Sequence, residues 1–191
     1  MHWLIPRLSK FHSQCPDIEV SGSTSNSSEL KGLSGFDVLI RRDPQDEPEW
    51  RYFDKRPLIE EKLTLITAPK LLLRQPLVGL DDLATHVFVT SHTRVGEWDK
   101  WMKKAGIEAL RPLRFQRFEH NYISLQAIID GVGVGIGGLP TIEHDLKENR
   151  LVAPFPIESK GSKYLALIAP DVDKSSALNL FLEWLQVEAS S

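Results

Sequence analysis

Only one cysteine, Cys15, occurs in the 191 residues, so the chain cannot close a disulfide within itself or gather thiolates around zinc. Cys15 reads as a small apolar residue on a helix. No apolar run comes near the roughly 18 residues that cross a bilayer. The opening Met1-His2-Trp3-Leu4-Ile5-Pro6 lacks the basic stretch, apolar core and small-residue cleavage site of an export signal. Excess positive charge is missing too: 23 Lys and Arg face 26 Asp and Glu, which leaves no overall attraction to the phosphates of DNA or RNA. The expectation is a cytoplasmic α/β chain, with no membrane span, that does not bind nucleic acid by itself.

Catalytic and metal signatures are equally sparse. The histidines His2, His12, His86, His92, His120 and His144 include no i, i+4 pair and no second ligand type at metal spacing, so no metal site is expected. There is no G-x-S-x-G elbow, and the serine-rich stretch Ser21 to Ser28 is too polar to position a nucleophile unaided. Gly133-Val134-Gly135-Ile136-Gly137-Gly138 matches G-x-G-x-x-G literally. Its glycines alternate with Val132, Val134 and Ile136 inside a strand that follows a helix, whereas a dinucleotide fingerprint needs the opposite order. Close backbone packing against a neighbouring helix is the expected purpose. Neither a cofactor nor an enzyme is expected.

What the chain does have is a repeating helix and strand pattern. Trp3, Leu4, Leu8 and Phe11 form an amphipathic stripe stopped by Pro16-Asp17. Ile18 to Val20 reads as extended, Phe36 to Ile40 as a buried strand, Arg42 to Glu49 as a surface loop, and Trp50 to Arg56 and Lys62 to Thr67 as two extended stretches. After Pro69 the pattern restarts: a short helix at Leu71 to Leu73, a capped helix at Asp81-Asp82, a strand at Val87 to Val89, and a helix with Trp98 and Trp101 closed by Gly106. Then come a half-buried strand from Leu113 to Phe118, a helix from Asn121 to Asp130, a strand from Val132 to Ile136, a helix from Thr141 to Glu148 and a strand from Tyr164 to Ala169. A last helix, Ser175 to Glu188, turns Leu178, Phe181, Leu182 and Leu185 inward. The aromatics Trp98, Trp101 and Trp184 read as core. Two α/β lobes follow, 1–66 with 169–191, and 67–168.

Ligands in open α/β sheets bind beyond the carboxyl ends of strands. Arg41-Arg42-Asp43 follows one strand, where the guanidinium groups could clamp a carboxylate or form a solvated strand end paired with Asp43. Thr90-Ser91-His92 follows another. Glu119-His120-Asn121-Tyr122 opens a helix whose N–H groups suit an anion, Asn121 being either a contact residue or an N-cap.

Blocks along nearly the whole chain resemble the effector-binding domain of LysR-type transcriptional regulators, in the branch of glycine-cleavage activators and beta-lactamase regulators. They begin with Trp3-Leu4-Ile5-Pro6-Arg7-Leu8, Phe11, Pro16-Asp17-Ile18 and Gly35-Phe36-Asp37-Val38-Leu39-Ile40-Arg41. Trp98, Trp101 and Gly106 follow, then Phe118, Leu125-Gln126-Ala127, Gly131 to Ile136, Asp145-Leu146, Arg150-Leu151-Val152, Pro154-Phe155, and Phe181 with Trp184-Leu185. The resemblance implies two Rossmann-like subdomains with two crossovers, a type 2 periplasmic-binding-protein-like fold, and a small, anionic effector in the interlobe cleft. It implies ligand contacts from Ser23, Thr24, Arg41, Arg42, Thr67, Thr90, Ser91, Phe118 and Asn121. It also implies a homodimer through Trp3 to Phe11 and Ile123 to Ile129, a tetramer in a full-length regulator, and DNA contact only through a helix-turn-helix domain that this chain lacks. The family's first effector-domain strand, with its Ser/Thr-bearing loop, is expected to be missing as well. A stand-alone solute-binding protein and an enzyme on the same architecture are the competing readings.

Overall fold

The structure, a computed structural model, describes residues 3–24, 35–43, 48–173 and 175–190. Expectations for Ser25 to Ser28, for His2 and for the middle of the loop after Arg42 fall outside these. The chain divides into two compact units, Met1–Glu60 with Ser162–Ser191, and Glu61–Gly161. The divisions fall six or seven residues before Thr67 and Ile168, because the connecting strands are longer than their apolar halves suggest.

In the first unit, helix α1 (Ile5–Gln14) carries Pro6 in its first turn, where a missing N–H costs no helical bond. Leu4, Leu8, Phe11 and Cys15, spaced by three or four, pack toward helix α6 (Ser176–Ser190). Phe11 lies 5.3 Å from the Phe181 ring, edge on, and 5.1 Å from Trp184, and Glu188 receives Arg7 and Lys10 at 3.6 and 3.1 Å. Ile18 and Val20 form no strand; they are half-buried against the same core. The strand expected at Phe36 to Ile40 is β1 (Val38–Arg42), half-buried along its length. Among the described residues it is an edge strand, paired antiparallel only with β6 (Glu158–Ile168), so its apolar run is covered incompletely.

The two stretches expected on either side of Leu58 are one 13-residue strand, β2 (Asp54–Ile66), preceded by a 3₁₀ turn at Pro48–Trp50. Its first half is polar and exposed on one face, which reads as loop until Leu63-Thr64-Leu65-Ile66 makes it continuous and buried. Strands β2 and β6 are neighbours, and each passes from one unit into the other.

The second unit opens with helix α2 (Pro69–Arg74), and the capped helix expected at Asp81-Asp82 is a capped 3₁₀ helix, Leu80–Thr85. The Asp82 carboxylate accepts the N–H groups of Val78 and Gly79 at 2.8 and 2.9 Å, and these bonds hold its pKa below the usual aspartate value. His86 is buried, with Nδ1 2.9 Å from the Asp82 carbonyl and Nε2 3.1 Å from that of Gln75. Strand β3 (Val87–Ser91), helix α3 (Glu97–Ala105) and strand β4 (Arg114–Phe118) form a parallel crossover. Gly106, at φ 72°, closes α3 in the left-handed conformation expected of it. Helix α4 (Asn121–Ile129) leads to strand β5 (Gly135–Leu139), displaced from the expected Val132 to Ile136. Val134, just ahead of β5, bridges Phe88 in parallel, and β5 pairs antiparallel with β2. Helix α5 (Glu143–Lys147) follows. The expected strand from Tyr164 begins six residues earlier, as β6.

Trp98 and Trp101 are core residues of this unit, with Leu65, Leu71, Leu83, Phe88, Met102 and Val134. Among the described residues no helix is long and apolar enough to cross a membrane.

Candidate functional site

Strands β3 and β4 run parallel and end together, Val87 beside Arg114 at one end and Ser91 beside Phe118 at the other. Their carboxyl ends therefore meet at one edge, closed by the His92 N–H donating to the Phe118 carbonyl at 3.0 Å. Helix α4 begins directly after this edge and is tied to it by Ser124, whose Oγ donates to the Thr90 carbonyl at 3.0 Å. The first N–H groups of a helix have no acceptor within it and carry its positive dipole end. Thr90, Ser91, Phe118 and Asn121, expected separately as contact residues, are thus brought together beside a natural anion-binding element.

Asn121 is not the N-cap. His120 holds that position with extended backbone, and Asn121 is the first helical residue. The His120 ring stacks on that of Tyr122 at 5.5 Å, and Tyr122 remains exposed. Ser91 is buried, its Oγ 3.1 Å from Thr93 Oγ1.

Thr67 is placed elsewhere. Its backbone pairs with Val152, its N–H donating at 3.0 Å and its carbonyl accepting at 2.8 Å. Extending the parallel register from Phe88 beside Val134 puts Gly137 level with Ser91, and Gly137 pairs with Thr64. Thr67 is three residues further along β2, about 10 Å away at the rise of a strand. Its Oγ1 is buried without a hydrogen-bond partner among the described residues.

The turn that follows Ser91 carries Arg94, whose contacts gather three charged residues that the sequence reading did not single out. Arg94 Nη1 contacts both oxygens of Glu61, at 3.0 and 2.9 Å, and Glu97 Oε1 at 2.9 Å. Glu61 is fully buried and Glu97 nearly so. A guanidinium held between two carboxylates is a strong, directional arrangement, and one already occupied by protein groups. The only signal in the sequence is Arg94 and Glu97 three apart at a helix start; Glu61 lies 33 positions away.

In the first unit, Ser23 and Thr24 lie in exposed, irregular backbone. Arg41 and Arg42 are half-buried within β1, beside Leu165 and Tyr164, not beyond its end. The Arg41 guanidinium carbon is 5.2 Å from the centre of the buried Trp50 ring, a cation–π contact. Asp43 ends the strand with φ 46°. Its N–H donates to the Lys163 carbonyl, and its Oδ1 accepts the Lys163 N–H, each at 2.8 Å. These bonds hold Asp43 at the strand end.

The glycine run packs closely, Gly135 against a helix as expected and Gly133 against a strand instead. A Cβ on Gly135 would lie 2.2 Å from Ile128 Cδ1 on α4, and one on Gly133 would lie 2.2 Å from the Val87 carbonyl oxygen. Among the described residues no group of three or more His, Cys, Asp or Glu is arranged to hold a metal ion.

The family model described as LysR substrate binding domain matches residues 1–190. The glycine cleavage system transcriptional activator of Escherichia coli K12 is 28% identical over 194 aligned positions, covering 100% of this chain and 62% of the relative. The HTH-type transcriptional activator AmpR of Pseudomonas aeruginosa is 29% identical over 184 positions, covering 96% of this chain and 60% of the relative. The chain thus spans about three fifths of the length of the curated relatives it matches. The solved effector domain of P. aeruginosa AmpR superposes with a TM-score of 0.80 at 28% identity, over 99% of this chain and 89% of that one. The AmpR effector binding domain of Citrobacter freundii gives 0.81 at 25% identity, over 98% and 92%. The α/β fold is that of these effector domains, type 2 periplasmic-binding-protein-like as expected, and the relatives are transcriptional regulators, not enzymes. The chain belongs to the LysR substrate-binding-domain family.

Proposed function

We propose that this chain is the effector-sensing part of a cytoplasmic LysR-type transcriptional regulator, and that it binds a small anionic metabolite at the carboxyl edge of β3 and β4. The observation that carries the reading is the convergence of Thr90, Ser91, Phe118 and Asn121 on one edge in front of α4. The hydroxyls and the amide side chain supply hydrogen bonds, the helix N–H groups supply positive potential, and Phe118 supplies an apolar wall. DNA contact belongs to a helix-turn-helix part of the kind named in the relatives. The effector shifts a population between regulatory states by binding them unequally.

A thermal-shift screen of amino acids, small carboxylates and phosphorylated metabolites tests this. A true effector at about 100 times its Kd adds about 2.7 kcal/mol, or roughly 5–10 °C for a chain of this size. Ser91→Ala combined with Asn121→Ala should abolish most of the shift while the unliganded protein still melts cooperatively. A shift that survives in this double variant places the site elsewhere and overturns the assignment.

The same reading proposes a homodimer through α1 and α4, on which Ile5 and Tyr122 are exposed. Light scattering at micromolar concentration should give twice the chain mass, and Ile5→Asp with Tyr122→Asp should give the monomer. A wild-type chain that is monomeric throughout that range would favour a stand-alone solute-binding protein.

A further inference from the structure

We infer that Arg94 is a positioning residue, which fixes the turn between β3 and α3, and with it Ser91, by holding its guanidinium between Glu61 and Glu97. The inference rests on the effector reading for its functional weight, because Ser91 is one of the contact residues proposed there.

The start of the turn is tied by the His92 N–H to the Phe118 carbonyl and by the Ser91 and Thr93 hydroxyls to each other; its middle is tied through Arg94. Ser91 ends β3 and Glu97 begins α3, so residues 92–96 bridge two elements without belonging to either. His92 and Thr93 are exposed, as is the apolar Val95, and Gly96 takes φ 77°, which gives the backbone freedom at the helix entrance. The Arg94 N–H donates to the Ser91 carbonyl at a long 3.2 Å. By contrast, the Arg94 side chain is mostly buried and makes three contacts of 2.9–3.0 Å, two to Glu61 on β2 and one to Glu97. One guanidinium therefore ties the middle of the turn to the sheet on one side and to the helix start on the other. The negative charge of Glu97 also suits the N-terminal turn it occupies.

The sheet is shaped to accept this. A Cβ on Gly138 would lie 2.3 Å from Glu61 Oε1, and one on Gly161 would lie 2.7 Å from Glu61 Cβ and 2.9 Å from its carbonyl oxygen. Strands β5 and β6 thus give up a side chain where Glu61 is seated. The Gly138 carbonyl also accepts the Thr141 hydroxyl, which fixes that wall from its far side. Buried ion clusters of this kind are often no more stabilising than an apolar replacement. Stability alone therefore does not account for two strands making room for one; placing the turn does.

The test compares amide hydrogen exchange in the 191-residue wild-type chain without any ligand against two variants. In the first, Glu61→Gln, Arg94→Met and Glu97→Gln are combined, which removes all three charges and leaves none buried and unpaired. In the second, Arg94→Lys keeps the charge but replaces the planar guanidinium with an ammonium of shorter reach. Exchange of the amides in residues 92–96 should rise at least tenfold in both, while that of 135–139 in β5 stays within twofold and the triple variant melts within a few degrees of wild type. Protection of 92–96 that is unchanged in Arg94→Lys overturns the inference. So does a rise spread equally over turn and sheet, which would make the cluster general core support. If the triple variant fails to fold, Arg94→Lys and the single Glu97→Gln decide by the same comparison. Because no effector is present, failure here leaves the effector reading standing, and a failed ligand screen leaves this result standing.

Discussion

Gly133→Ala should destabilise the second unit by about 3 kcal/mol or more, at or above the upper end of the usual range for overpacking. The added methyl carbon would sit 2.2 Å from the Val87 carbonyl oxygen and 3.0 Å from the Val87 carbonyl carbon and Cβ. The oxygen is a backbone atom and cannot rotate away. It also accepts the Val134 N–H at 2.9 Å, in the bridge that joins β5 to β3. Relief therefore requires the strands to separate at the bridge that couples the two-stranded sheet of β3 and β4 to the four-stranded sheet. Gly135→Ala is the informative partner, because its methyl would meet Ile128 Cδ1, the far end of a side chain that can adopt another rotamer. Its cost should be smaller by a kcal/mol or more, about 2–4 °C for each kcal/mol in a chain of this length. Urea unfolding of the two variants measures the difference. Equal losses would mean that the Val87 contact is not what demands glycine at position 133.

That pair of glycines also shows how the sequence could be read. Glycines alternating with Val132, Val134 and Ile136 cannot open a helix under a phosphate, and the contact of Gly135 with α4 follows from the alternation. Helix α3 was equally legible, since Trp98, Trp101 and Gly106 give both a face and a stop. Strand β2 was not: Asp54 to Glu60 is polar because one side of the strand is exposed, and polarity without a break looks the same in a loop. Arg41 and Arg42 were expected past a strand end because the apolar run stops at Ile40. An edge strand tolerates long, amphipathic side chains, so β1 continues through both. The site divides in the same way. Thr90, Ser91, Phe118 and Asn121 were legible as strand ends and a helix start, local features of the chain. The distance between Thr67 and Ser91, and the meeting of Arg94 with Glu61, depend on which strands pair and in what register. Residues 33 positions apart carry no local mark of that pairing.

Trp101→Ala should be the most damaging single truncation in the second unit, at about 3–5 kcal/mol for a fully buried aromatic. Trp101 is inaccessible to solvent, packs edge on to Trp98 at 6.3 Å, and donates its Nε1 hydrogen to the Ile157 carbonyl at 3.0 Å. Trp98 in turn stacks on Phe88 of β3 at 3.7 Å and donates to the Val89 carbonyl at 3.0 Å. Two indoles three residues apart therefore fasten one face of α3 to β3 and to the segment entering β6. Trp101→Phe separates the contributions. It keeps most of the apolar contact but removes the donor, so it should cost about 1–3 kcal/mol, mainly by leaving the Ile157 carbonyl unsatisfied. The consequence reaches the effector edge, because Glu97 is the first residue of the helix that Trp101 anchors and a helix that shifts carries Glu97 away from Arg94. Hydrogen exchange in Trp101→Phe should therefore rise in residues 92–96 as well as in α3, with the parallel pair β3 and β4 less affected. A Trp101→Ala chain within 1 kcal/mol of wild type in urea, or a Trp101→Phe chain whose turn keeps its protection while α3 loses its own, would show that the helix start is held independently of its buried face.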